Sequence, residues 1–261
     1  MDKKLFVVLE QGNKPNTNLS HEHLSQFSTE YSDWFRLNWA ADKNDKNAHF
    51  FQNNIVWSEG RSLLFDKVKG KYKYYIFIDD DVKFISKTKK TIAEELKYFF
   101  EEYKPLTGTL NGDNWAWQFY NPTKEVFPIM AHDLCCHFFK EDFAELMFPV
   151  YFHGSGASMW YAQYISYKLF PKKCMVFSNI HILNTEHIPH QDQHKASYHD
   201  PHNLCNKFAN IINDHNNKLE FISWIRNVNY NRQKNKEIYS NEIDKCEVNF
   251  TLEKLNSLIT R

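Results

Sequence analysis

Short apolar runs alternate with segments of helical spacing over the first hundred residues. The runs at 5–9 and 74–78 are continuously apolar, which is typical of strands buried on both faces of a parallel sheet. Further short strands are predicted at 34–39 and 54–57. This alternation predicts an α/β fold with a central, mostly parallel sheet and helices on both faces.

Two helices are predicted in the same region. Ser58 is expected to cap a helix that has Leu64 and Val68 on its apolar side and that ends at Gly70. A second helix is predicted over 86–103, where apolar residues recur every three or four positions before Pro105.

The second half of the chain is less regular. Short strands are predicted at 107–110, 115–119, 126–130, 134–139 and 174–177, and helices at 140–148 and 158–170. A histidine-rich stretch at 184–202 lacks periodicity and predicts a long loop. Because no composition boundary divides the chain, we predict one domain over 1–261 that ends in a polar tail at 227–261.

Composition and charge exclude several classes of protein. The 32 basic residues balance 32 acidic ones, which argues against a nucleic-acid partner held by phosphate attraction. The five cysteines show no CxxC spacing and indicate a reducing, cytoplasmic compartment. No apolar run reaches membrane-spanning length, so no transmembrane segment is predicted. Peripheral attachment to the cytoplasmic face of a membrane stays open.

Three consecutive carboxylates, Asp79, Asp80 and Asp81, follow the apolar run at 74–78. Like charges this close disfavour full ionisation unless a cation or several donors lie among them, and a divalent metal is the simplest such cation. The alternative is an acidic turn in which the aspartates cap local amides. In parallel sheets ligands bind beyond the carboxyl ends of the strands, which is where these residues are expected.

A resemblance to a known family begins at this segment. Its sequence Tyr-Ile-Phe-Ile-Asp-Asp-Asp-Val resembles the Asp-x-Asp motif of GT-A-type glycosyltransferases. Over residues 55–192, the acid-ended strand, the later Gly154-Ser-Gly156 segment and His190 occur in an order similar to that of a little-characterised branch of this family. The resemblance implies a GT-A-like, Rossmann-type sandwich with a nucleotide-sugar-binding half at 1–104 and an acceptor-binding half at 105–226.

The resemblance also implies an activity. A sugar would pass from a UDP- or GDP-sugar donor to a hydroxyl of a glycan or lipid-linked acceptor, in the synthesis of a surface polysaccharide or glycoconjugate. A bridging metal would bind the diphosphate and neutralise the charge of the leaving group. By this resemblance Asp79, Asp81 and His190 hold Mn²⁺ or Mg²⁺, and nitrogen ligation favours Mn²⁺. Three further histidines of the same loop are rivals of His190: His187, His194 and His199.

Further residues are implied in donor binding. Arg61, in the first turn of the helix after Ser58, would contact the diphosphate with its bidentate guanidinium. Its alternative is a surface arginine paired with Glu59 or Asp66.

The ends of the first strands are implied in the same site. Glu10, at the end of the first strand, would help to position the diphosphate. Asp79 would reach the ribose or the metal, and Asp80 is either structural or near the sugar. Asp42 and Asp45 follow the second strand, where the family contacts the nucleotide base, but each also suits an ordinary Asn-rich turn.

The catalytic base expected from the family is missing. Related sequences carry an acid after the Gly-x-Gly turn, whereas residues 153–160 contain no carboxylate. Either the base comes from elsewhere, with Asp133 and His153 as candidates, or the reaction proceeds with retention of configuration. A structural role is the alternative for both residues.

Two other functional classes stay open. One is a metal-dependent hydrolase that uses the histidines at 187–194, although Pro189 interrupts any helix there and the HExxH arrangement is absent. The other is a non-catalytic carbohydrate-binding protein on a transferase scaffold.

Overall fold

The computed structural model describes residues 2–13, 18–39, 45–55, 57–112, 124–129, 135–148, 166, 170, 172–184, 243 and 245–247. The strands in these ranges are β1 (Lys4–Gly12), β2 (Ser32–Asn38), β3 (Phe50–Phe51), β4 (Tyr72–Asp79), β5 (Val82–Ser86), β6 (Thr107–Gly112), β7 (Val126–Pro128), β8 (Cys136–Lys140) and β9 (Cys174–Asn184). The helices are α1 (Asn18–Phe27), α2 (Trp57–Val68), α3 (Ile92–Tyr103) and α4 (Glu141–Met147).

These strands form one sheet in the order β3-β2-β1-β4-β8-β6-β9-β5, with β7 paired to β9. The first four are parallel neighbours. Strand β8 is antiparallel to both β4 and β6, and β9 is parallel to β6, so β6 and β9 share the direction of the first four. Six of the nine strands in the described ranges therefore run the same way. The predicted α/β class with a mostly parallel central sheet is confirmed.

Helices cover both faces of this sheet, and alternate residues of β4 face them. On one face the Tyr74 ring stacks on Phe100 of α3, with ring centroids 4.2 Å apart. On the other face Tyr75 packs edge-on against Phe65 of α2. Because both faces of the strand are buried, the sequence shows a continuous apolar run instead of an alternating one.

The chain order changes direction at β1 and β4. From β1 the chain proceeds to β2 and β3 on one side, and α2 then returns it to β4 on the other side of β1. The carboxyl ends of β1 and β4 are adjacent, since Gln11 pairs in register with Asp79. Such a topological switch point is where open α/β sheets bind their ligands.

Two predicted elements are wrong in part. The strand expected at 54–57 is absent, because Trp57 begins α2 and the neighbouring strand is β3. The helix expected over 86–103 begins only at Ile92. Its N-cap is Thr91, which forms a reciprocal capping box with Glu94, while residues 82–86 form β5.

Helix α1 has no counterpart among the predicted elements. Its buried positions Ser20, His23 and Phe27 have helical spacing, but two of the three are polar, so apolar periodicity does not reveal them.

The strand predicted at 174–177 begins where β9 begins, but β9 continues seven residues further, to Asn184. The remaining predicted strands and helices either agree with the elements above to within a few residues or lie outside the described ranges. The second group comprises 115–119, 185–202, nearly all of 158–170 and nearly all of the tail. The division into halves stays a prediction. None of the helices in the described part of the chain has the length and apolar character needed to span a membrane.

Candidate active site

The acidic residues lie at the carboxyl ends of β1 and β4, as the sequence predicts. Asp79 ends β4, and Asp80 and Asp81 form the turn into β5. This turn lies directly against β1, since a Cβ atom on Gly12 would be 1.7 Å from Asp80 Oδ2. The Asp79 and Asp80 side chains are 28% and 12% exposed. Both carboxylates are therefore partly enclosed and partly exposed at the carboxyl end of β4.

Asp79 is held by α2. Its Oδ1 accepts hydrogen bonds from Arg61 Nη2 at 2.8 Å and from Trp57 Nε1 at 2.9 Å. The Arg61 guanidinium also lies 3.9 Å from the centroid of a Trp57 ring, and its Nη1 is 2.9 Å from His137 Nδ1. Arg61 is fully buried. Burial lowers the pKa of its guanidinium, and the charge of Asp79 opposes that shift. Arg61 therefore fixes the orientation of Asp79 from inside the protein.

Glu10 forms a second buried network on the opposite face. Its carboxylate accepts hydrogen bonds from Ser20 Oγ at 2.8 Å and Trp34 Nε1 at 3.0 Å, and lies 2.7 Å from His23 Nδ1. It also forms a buried ion pair with Arg36. Burial raises the pKa of Glu10, but the hydrogen bond and charge of His23 and the charge of Arg36 outweigh burial and lower it overall.

Arg36 connects this network to the acidic turn. Its Nε donates to Asp45 Oδ2 at 2.7 Å, and its Nη2 lies 3.6 Å from Asp80 Oδ2. Burial opposes the charged form of Arg36, but Glu10 and Asp45 together raise its pKa. Asp45 also accepts the backbone N–H of Asn47 through Oδ1, a contact typical of an Asx turn, and it is a partner of Arg36 as well.

Each face of the acidic turn is thus approached by one buried arginine. Arg61 pairs with Asp79 beneath α2, and Arg36 approaches Asp80 beneath α1. Successive residues of a strand point to opposite faces, which explains why neighbouring aspartates meet different arginines. The like charges seen in the sequence are partly compensated by these two guanidinium groups.

The donor set fits a hard divalent cation. Asp79 and Asp81 supply carboxylate oxygens, the ligands that Mg²⁺ and Mn²⁺ prefer. Within the described ranges, no three or more His, Cys, Asp or Glu side chains are grouped so as to hold a metal ion. The third predicted ligand, His190, lies outside those ranges.

The described ranges cover part of the predicted site. Five predicted residues meet around the ends of β1 and β4: Glu10, Arg61, Asp79, Asp80 and Asp81. Four predicted residues lie outside the described residues: Asp42, Asp133, His153 and His190. The three rival histidines also lie outside them. The binding and catalytic roles of all these residues stay predictions.

The structure adds residues that the sequence did not single out, chiefly Arg36 and His137. Arg36 occupies the same side of β2 as Trp34, and His137 interrupts an apolar run in β8. A charged or polar residue at a buried strand position needs a partner. The sequence therefore indicates that Arg36 and His137 need partners. It does not indicate which residues these are, because the partners come from distant segments.

No protein-family model matches the chain, and a search of curated proteins found no match. Solved structures show a distant likeness. A197 from STIV is 12% identical with a TM-score of 0.42, and the alignment covers 70% of this chain and 86% of that one. TarS from S. aureus is 11% identical with a TM-score of 0.41, covering 68% of this chain and 36% of that one.

A third similar structure is a glycosyltransferase involved in the glycosylation of the major capsid of PBCV-1. It is 12% identical with a TM-score of 0.37, and the alignment covers 67% of this chain and 82% of that one. At scores this low, none of these likenesses supports a conclusion about the activity of the chain.

Proposed function

We propose that the chain is a metal-dependent glycosyltransferase that moves a sugar from a UDP- or GDP-sugar to a hydroxyl of a glycan or lipid-linked acceptor. The supporting observation is the acidic turn at the switch point of β1 and β4, with Asp79 anchored by a buried arginine and a tryptophan. The charge of a diphosphate would be repelled by the carboxylates of such a turn, and a bound cation would offset that repulsion.

Asp79 and Asp81 are the proposed metal ligands, with His190 as a third. A Mn²⁺ or Mg²⁺ ion bound there would neutralise charge on the departing nucleoside diphosphate. Arg61 and Trp57 hold Asp79 through Oδ1, so the carboxylate is oriented before the donor arrives. Such preorganisation strengthens binding because less side-chain freedom is lost.

The two buried arginines, Arg36 and Arg61, influence the donor indirectly, by holding the carboxylates of the acidic turn. Arg61 has no exposed surface, so a direct contact with the diphosphate would require it to leave its pair with Asp79. Glu10 is also fully buried and contributes by holding Arg36. Asp80, which faces Arg36, is proposed to lie near the sugar.

A buried amide beside Asp79 also supports a ligand site. The side-chain nitrogen and oxygen of Gln11 have no hydrogen-bond partner in the described part of the chain, although the residue is only 1% exposed. Buried amides are rarely left in this state. A polar group in need of a partner at a switch point fits a site that a ligand or ordered water completes.

Turnover with defined donors tests the proposal. The purified chain is incubated with UDP- and GDP-sugars, and release of the nucleoside diphosphate is measured with Mn²⁺, with Mg²⁺ and with a chelator. We expect release only with metal, and we expect Asp81→Asn to reduce it by about 100-fold or more, the scale of losing one strong electrostatic contact.

The matched control is Asp66→Asn. Asp66 is an exposed carboxylate that pairs with Lys69 at the end of α2, away from the acidic turn. Its replacement should leave turnover unchanged. Full donor binding and full turnover in Asp81→Asn would show that the acidic turn does not hold the metal.

A further inference from the structure

A lysine-rich segment follows the acidic turn along the chain. Residues 82–91 contain four lysines and no acidic residue, although the whole chain has a formal net charge of zero. Lys83, Lys87, Lys89 and Lys90 are all exposed. Ile85 lies among them and is 39% exposed, one of few large apolar side chains exposed in the described ranges. We refer to residues 83–90 as the lysine segment.

The fold directs this segment outward. Strand β5 ends the sheet order and pairs with β9 alone among the strands described. Val82 and Phe84 are buried in the core, so Lys83 and Ile85 face the opposite side. The segment therefore presents a cationic and an apolar side chain together on one face of the edge strand.

Hydrogen bonds fix the backbone that carries the other lysines. Lys87 N donates to Asn179 O at 2.8 Å. Thr88 N donates to Ser86 Oγ at 3.2 Å, and Lys90 N donates to Thr88 Oγ1 at 3.0 Å. The three lysines after β5 therefore project from an ordered bend.

The positive charge of the segment is not neutralised by ion pairs. Within the described part of the chain, none of its four lysines forms one, and Lys90 lies over the Tyr98 ring. The two acids that follow in sequence are engaged elsewhere. Glu95 is buried and accepts the Thr88 hydroxyl, and Glu94 forms the capping box with Thr91. The hydrogen bonds of Thr91 lower the pKa of Glu94, and the charge of Lys90 adds a minor contribution.

Several lysines elsewhere on the surface form ion pairs, whereas the four lysines of the segment form none in the described part of the chain. The pairs are Lys3–Glu141, Lys69–Asp66 and Lys245–Glu102. Four exposed lysines without an ion pair in the described part of the chain therefore lie beside an exposed isoleucine, which concentrates positive charge and apolar surface in one segment.

We propose that the lysine segment docks the protein on an anionic lipid membrane. Clustered lysines are attracted to acidic headgroups, and an apolar side chain among them can enter the boundary between headgroups and acyl chains. The segment contains no arginine, and its one aromatic residue, Phe84, is buried in the core, so it offers neither the bidentate contacts nor the base stacking that nucleic-acid binders use. Ile85 would gain nothing on a phosphate backbone.

Membrane docking does not depend on the proposed glycosyltransferase activity. It would nevertheless bring the acidic turn close to the lipid surface, because Lys83 is two residues after Asp81. A different role for Lys83 is protection of the edge strand from pairing with a second copy of the chain. The experiment must separate these two roles.

Vesicle co-flotation of the full chain tests the proposal. Vesicles of phosphatidylcholine alone are compared with vesicles that also contain phosphatidylserine. We expect binding only to the anionic vesicles, and we expect it to weaken as salt is raised. Replacing Lys83, Lys87, Lys89 and Lys90 by Gln should weaken binding on the order of 100-fold or more, since each lysine near such a surface contributes roughly a factor of five.

The matched control removes the same charge elsewhere. Lys67, Lys69, Lys71 and Lys73 are also four exposed lysines close in sequence, and their replacement by Gln should change vesicle binding by less than about threefold. Ile85→Ser should weaken binding to anionic vesicles without changing the net charge.

Several results would overturn the proposal. The proposal is wrong if the unmodified chain does not bind the anionic vesicles. It is also wrong if both quadruple variants lose binding equally, because the attraction would then depend on the overall charge of the protein. Equal competition by soluble DNA would reassign the segment to polyanions. If Lys83→Gln caused self-association in size-exclusion chromatography and kept vesicle binding, edge protection would be its role.

Discussion

Single residues at this site contribute to stability and also belong to the proposed ligand site. Asp79 is both a proposed metal ligand and the partner of the fully buried Arg61. Removing one member of a buried ion pair leaves the other charge uncompensated, which commonly destabilises a protein by about 3–5 kcal/mol. Loss of activity in an Asp79 variant would therefore mix two effects, and Asp81 is the better diagnostic residue.

Glu10 gives a pH dependence with a definite sign. Its pKa is lowered from 4.5, so its stabilising contribution is present above about pH 4.5 and is lost as the pH falls through the folded-state value. We expect Glu10→Gln to reduce the free energy of unfolding by about 3 kcal/mol at pH 7. The difference between variant and unmodified chain should shrink as the pH falls below 4.5, measured by urea unfolding.

Glu102→Gln is the control for this measurement. Glu102 is an exposed acid that pairs with Lys245, and such surface pairs contribute at most about 1 kcal/mol. If the difference in the free energy of unfolding between Glu10→Gln and the unmodified chain stayed constant across the pH range, the stabilising contribution would not depend on the ionisation of Glu10.

At the scale of elements, the end of β1 determines where the acidic turn can lie. A Cβ atom on Gly12 would be 2.3 Å from Asp80 Cβ as well as 1.7 Å from Asp80 Oδ2, so the turn itself would have to move. We expect Gly12→Ala to destabilise the fold by about 1–3 kcal/mol and to weaken binding of metal and donor together. Urea unfolding and calorimetric titration measure the two effects.

Gly112 supplies the matched strand-end control. It ends β6, and a Cβ atom there would be 3.0 Å from Ile182 Cγ1, a side-chain atom that can give way. Gly112→Ala should cost less stability than Gly12→Ala and leave donor binding intact. Normal donor affinity in Gly12→Ala would show that the packing of the turn on β1 does not matter for the site.

The elements also show what the sequence could and could not predict. Strands β1 and β4 were predictable because burial on both faces leaves a continuous apolar run. Helix α1 was not, because its buried face includes Ser20 and His23, which are placed there to bind Glu10. Strand β5 was missed because the bend before Thr91 contains no glycine or proline to mark it.

The candidate site likewise contains residues that the local sequence predicts and residues that it does not predict. The position of Asp79, Asp80 and Asp81 was predictable from local sequence, since a buried strand ended in acids. The role of Arg36 was not, because its partners Glu10 and Asp80 come from other strands and only the sheet brings them together. Non-local pairs of this kind leave no periodic signal.

At the scale of the whole molecule, the strand order assembles the site from segments far apart in sequence. The return of the chain from β3 to β4 brings Gln11 beside Asp79 and makes β1 and β4 the switch point of the sheet. The lysine segment begins two residues after the acidic turn. A transferase that works on lipid-linked acceptors would benefit from that proximity, and vesicle binding tests it independently of turnover.

The central claim is that nucleotide and metal bind as one unit at the acidic turn, and thermal unfolding of the full chain tests it most directly. UDP or GDP with Mn²⁺, at about 100 times the dissociation constant, should raise the melting temperature by roughly 5–10 °C, whereas either component alone should have little effect. Asp81→Asn should abolish the joint shift. An equal nucleotide shift in the presence of a chelator, or an undiminished shift in Asp81→Asn, would contradict the account.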